Sequence, residues 1–96
     1  MPQEGEPGFR LVETPEYREE LDGLDVDGFL REALRRSAYL VLERAPHEGS
    51  LTRAGLRLLR RRIRMPLLLV DVFYRIDEEA REVSLVSVRL VDTTRL

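Results

Sequence analysis

The sequence has no cysteine, no lysine and a single histidine, His47. Without cysteine there can be no disulfide, thiolate zinc site or thiol nucleophile. One histidine excludes a His-rich metal site and any catalytic set that needs a second. The longest apolar run, Met65–Val70, contains Pro66 and falls far short of the ~20 residues that span a bilayer. The opening stretch, Met1–Glu6, is acidic and polar, which predicts no signal peptide and a cytoplasmic protein. Gly-rich phosphate loops, paired catalytic carboxylates and HExxH-type motifs are also missing, so the expectation is no metal and no cofactor.

What is present is one modest core and a polarised charge. The 96 residues are 43% apolar, enough for a single domain. Net charge is −2, yet residues 33–64 hold nine arginines against only Glu43 and Glu48, while residues 1–32 hold ten acids against Arg10, Arg18 and Arg31. All 16 basic residues are Arg. A genomic composition bias explains this more simply than a demand for bidentate phosphate contacts, although the clustering still needs an account.

Residues 1–8 carry Pro2, Gly5, Pro7 and Gly8 and read as a flexible lead-in to one domain over 9–96. Phe9–Thr14 has strand composition. Thr14 is a helix N-cap, with Pro15 at the first helical position, and predicts a helix over Pro15–Leu24. Apolar residues at intervals of three and four predict a second helix over Asp27–Arg44. The pattern then changes to period two or continuously apolar. It predicts strands over Leu56–Arg64, Leu67–Ile76 and Val83–Val91, the last two joined by an acidic turn at Asp77–Ala80. The fold class is therefore α+β in the order β-α-α-β-β-β, a helical hairpin packed on a small twisted antiparallel sheet.

The strand arginines are the main candidate site. Arg60, Arg62 and Arg64 share one strand face, with a spacing near ~7 Å that suits phosphodiester phosphates. Arg57 belongs to the same cluster, and Arg75 and Arg89 on the neighbouring strands can join that surface. The alternative is a solvated, edge-protecting charge run, or a surface for an acidic peptide. Tyr74 reads either as a stacking platform or as a core aromatic. His47, beside Glu48, reads as an exposed turn histidine.

Several segments together resemble the RelE/ParE toxin superfamily. These are Phe9–Val12, then Thr14-Pro15-Glu16, the helical hairpin ending at Pro46 with Gly49 after it, and Val72–Glu79 leading into Val83–Val88. The similarity spans about residues 9 to 91 and lies in the order and spacing of weak motifs. It implies the toxin of a bacterial toxin–antitoxin pair, neutralised by a cognate antitoxin. Such a toxin acts through ribosome-dependent mRNA cleavage or poisoning of DNA gyrase. The resemblance places Arg60, Arg62 and Arg89 in the catalytic role, with Arg57, Arg64, Tyr74 and Arg75 in RNA or partner binding. Asp71 stands where the family has an arginine, and residues 92–96 supply neither the tyrosine nor the histidine that completes the family's site. Whether the chain is an enzyme is thus left open. The alternative is a catalytically silent module of the same fold that holds an acidic peptide or partner protein. The acidic N-terminal third could also cover the arginines of a second copy, as a homodimer.

Overall fold

Arg10–Glu13 forms β1, and Thr14 ends it. The Thr14 side chain accepts the Tyr17 N–H at 3.2 Å and donates its own hydroxyl to the Leu85 carbonyl at 2.8 Å. One residue thereby caps α1 (Pro15–Leu24) and ties its start to the far end of the chain. The computed structural model describes residues 8–25, 28–64 and 68–92, so the lead-in expected over residues 1–8 lies outside it except for Gly8.

Asp25 joins the two helices. Its N–H closes on the Leu21 carbonyl at 2.8 Å, and its carboxylate accepts the N–H groups of Leu30 (2.9 Å) and Arg31 (3.1 Å). Gly28, at φ 84°, makes the left-handed turn that β-carbon-bearing residues resist. Next come α2 (Phe29–Leu34), a π-helical turn (Arg35–Tyr39) and α3 (Leu40–Arg44), continuous as one long helix. Ser37 donates to the Ala33 carbonyl at 2.7 Å, competing with the regular backbone ladder within that turn. At its end the Tyr39 hydroxyl meets the Tyr17 hydroxyl at 2.6 Å.

A 3₁₀ turn (Pro46–Glu48) leads into β2 (Ser50–Leu51), β3 (Arg57–Arg64), β4 (Leu68–Asp77) and β5 (Glu82–Asp92). Among the described residues the sheet has five strands in the order β1-β5-β4-β3-β2. The architecture is α+β, as the hydropathy pattern implies. Two features correct the expected antiparallel sheet. β1 pairs parallel with β5, Arg10 against Glu82 through Glu13 against Leu85. The short β2, which carries no pattern of its own, adds an edge beside β3.

Both helices lie on one face. Tyr17, Leu21, Leu30, Leu34, Ala38 and Leu42 meet Leu59, Val70, Val72, Tyr74, Val83, Leu85 and Val88 of the sheet, all buried. Tyr74 is fully buried and donates its hydroxyl to the Pro46 carbonyl at 2.5 Å, binding the end of the long helix to the central strand. Gly49 sits against that contact: a Cβ there would lie 2.1 Å from the Tyr74 hydroxyl and 2.8 Å from the Leu58 carbonyl.

Burial raises the pKa of all three tyrosines above the ordinary 10.0, most strongly for Tyr17, whose neighbour Tyr39 adds to the effect. A folded-state pKa raised above the unfolded value gives stability that is complete below pH ~10 and lost as pH climbs past it. We expect absorbance at phenolate wavelengths to stay flat at pH values where free tyrosine ionises. The urea midpoint should fall steadily above pH ~10. Gly49→Ala should cost about 1–3 kcal/mol in urea denaturation, because the added methyl must push a buried hydroxyl or a strand carbonyl aside.

Candidate functional site

The crossover from β1 to the far edge of the sheet carries both helices over one face. Among the described residues, no helix covers the other. Residues directly opposed across neighbouring strands share a face, so the register shows what that bare surface displays. Arg60 of β3 lies opposite Asp71 of β4, and Asp71 lies opposite Arg89 of β5, making one charged row across the three strands. Arg62 and Leu69 form the next pair, and alternation along β4 adds Phe73 and Arg75. The same alternation turns Leu59, Val70, Val72 and Tyr74 toward the helices.

Asp71 organises the row. Its carboxylate is 7% exposed and sits in the fork of Arg60, with Nε on Oδ1 at 2.7 Å and an amino nitrogen on Oδ2 at 2.8 Å. This bidentate pair raises Arg60 above the ordinary arginine pKa. Arg89 lies over the Phe73 ring, 5.4 Å from its centroid, in a cation–π contact. Among the described residues no carboxylate lies within ion-pair distance of Arg62, Arg75 or Arg89. At the far end of the face, Arg10 pairs with Glu82.

The structure therefore gathers Arg60, Arg62, Arg75 and Arg89 on one surface, as the alternation implies. Arg64 ends β3 opposite Leu68. Two expected binding residues stand elsewhere. Tyr74 points into the core, so its ring offers no face to a base. Arg57 opposes Tyr74 on the helix side, where its guanidinium donates to the carbonyls of Gly49 (2.8 Å) and His47 (3.4 Å). Arg61 also turns to that side and lies 3.7 Å from Glu48.

Groups able to move protons are scarce on the bare face. His47 bonds Glu78 at 2.5 Å, its neighbour Glu48 notwithstanding, and the edge of the Phe9 ring packs against the imidazole. That pair marks the β4–β5 turn, roughly 20 Å from Asp71 at about 3.3 Å per strand residue. The tyrosines are all on the helix side. Among the described residues the bare face thus offers arginines, small hydroxyls and three carboxylates: Asp71 in the fork of Arg60, Glu82 paired with Arg10, and Asp77 at the β4–β5 turn, which accepts the Ala80 N–H at 3.1 Å. That set can hold an anion in place. Around Arg60, Arg62 and Arg89 the described residues supply no free base and acid, which attack by a ribose 2′-hydroxyl requires. Among the described residues there is also no His, Asp and Glu cluster able to hold a metal ion, and no helix long and apolar enough to cross a membrane.

Removing one partner of a buried pair leaves the other charge uncompensated, a larger loss than the pair's net worth. Arg60→Ala should therefore lower the urea midpoint clearly, whereas Arg62→Ala should leave it unchanged. Asp71→Asn releases Arg60 and should lengthen retention of the protein on a heparin column. Neither a family model, nor a curated protein, nor a solved structure matches this chain, and the functional reading rests on its own residues.

Proposed function

We propose that the protein is a RelE/ParE-like member of a toxin–antitoxin pair whose working surface is the bare sheet face, and that this face holds an acidic segment of its antitoxin. The observation that carries this reading is the set of three arginines, Arg62, Arg75 and Arg89, exposed together beside Phe73 on a sheet face that no described helix covers. The order of elements, a strand followed by a helical pair and then consecutive antiparallel strands over about residues 10–92, supports the resemblance. Arginine at the exposed positions suits carboxylate partners, since its planar fork binds them bidentately.

Toxicity of such a chain acts through binding a target, as in gyrase poisoning, or is absent. The face lacks a described proton-transfer group, and Asp71 already occupies the fork of Arg60. Ribosome-dependent mRNA cleavage is the second reading. It is favoured by one observation, that Arg89 stands in the Asp71 row and Arg62 in the next, a spacing that suits successive phosphates. Both readings place the protein in the cytoplasm.

Two measurements separate them. Purified protein should retain a poly-glutamate peptide, and the Arg62→Ala/Arg75→Ala/Arg89→Ala variant should lose that retention while unfolding at the same urea concentration. A translating extract supplied with wild-type protein should show intact mRNA. Cleaved mRNA, lost in the triple variant, overturns the binding reading in favour of the nuclease. Equal poly-glutamate retention by wild type and variant removes the acidic-partner reading.

A further inference from the structure

β1 covers only part of the outer edge of β5. Their pairing stops at Glu13 and Leu85, whereas β5 continues to Asp92. The Leu85 carbonyl takes both the N–H and the hydroxyl of Thr14. The register with β4 slips just beyond this point, between Phe73 and Tyr74. The next outward group, the Val88 N–H, donates to Glu20 Oε1 at 3.0 Å, and the same oxygen accepts the Ser87 hydroxyl at 2.8 Å. Backbone polar groups alternate in direction along a strand. The N–H and C=O of Leu90 therefore point the same way as the Val88 N–H, out of the sheet. Among the described residues nothing bonds them.

A shallow groove of about 450 Å³ runs beside this edge. Leu24 and Leu90 line it, 37% and 36% exposed, and Glu19 and Glu20 of α1 stand on its helix side. Gly23 opens it further, since a Cβ there would meet nothing within 4 Å. Arg89 borders it on the side of the bare face. An edge with the free N–H and C=O of Leu90, exposed leucines on the helix side and a cation on the bare side is a template for strand addition.

We propose that the outer edge of β5 accepts an extended segment of a partner protein as an added strand, hydrogen-bonded to Leu90. Alternate side chains of that segment are apolar, against Leu24 and Leu90, and acidic, against Arg89. The inference rests on the acidic-partner reading above and adds where and in what conformation the segment enters. A second copy of β5 suits the edge less well. Centred on Leu90 and antiparallel, it would set Val91, and no acid, opposite Arg89.

The probe is a short synthetic peptide of alternating valine and aspartate, followed by hydrogen exchange of the Leu90 amide. Leu90→Pro deletes the outward N–H without removing a bond to β4, a position at which sheets tolerate proline. Gly23→Phe fills the groove without altering β5, so it keeps the test valid if the proline variant fails to fold. We expect the peptide to protect the Leu90 amide, and either substitution to weaken binding by about tenfold or more. Peptide binding with unprotected Leu90 and unaffected variants would refute strand addition while leaving the acidic-face reading intact. No binding to wild type also refutes it, and the poly-glutamate result then decides that reading separately. A doubled mass by light scattering that reverts in Leu90→Pro names a second copy as the occupant and overturns the proposal.

Discussion

The parallel pairing of β1 with β5 is the constraint on which the rest of the architecture depends. A chain whose first strand lies next to its last, with β2 at the opposite edge, must cross the full sheet between them. The crossover is the helical pair, and its apolar stripe has one place to go. Burying Tyr17, Leu21, Leu34 and Leu42 against one side of the sheet leaves the other side without a covering layer among the described elements. The arginine-bearing surface follows from connectivity, before any of its residues is considered. Thr14 holds the arrangement at its tightest point, since it bonds β5 and starts α1 with the same hydroxyl.

On that bare surface one carboxylate sets the electrostatics. Asp71 would be costly to bury alone, and Arg60 satisfies it with both of its oxygens engaged. The pair subtracts one arginine from the surface available to a ligand and fixes the middle of the face. A recognition surface needs cations held in register, and here Phe73 under Arg89 and Asp71 under Arg60 supply such anchoring.

Local chemistry made much of this fold legible. Thr14-Pro15 names the start of α1, and the period-two spacing of Arg60 and Arg62 names a shared face. The same alternation, counted from Val70 and Val72, already points Tyr74 to the core, a signal that its position beside Phe73 obscured. What could not be read are relations between distant segments. Strand patterns do not state neighbours, so the parallel partner of β1 was hidden. The engagement of Asp71 depends on a register between β3 and β4 that their patterns could satisfy in more than one way. His47 found its carboxylate at Glu78, thirty-one residues on, because two turns converge at one end of the sheet. The π-helical turn left no mark in the apolar spacing, since it perturbs the long helix by a single residue.

The order in which the strands become available during synthesis differs from the order in which they pair. β1 is made first, yet the residues it pairs with, Glu82–Leu85, come near the end of the described chain. Until they emerge from the ribosome, β1 has no strand to pair with and α1 lacks the strand it packs against. Loop-closure entropy further delays a contact of such separation. A nascent chain of this design is a natural client for whatever binds apolar helices during translation.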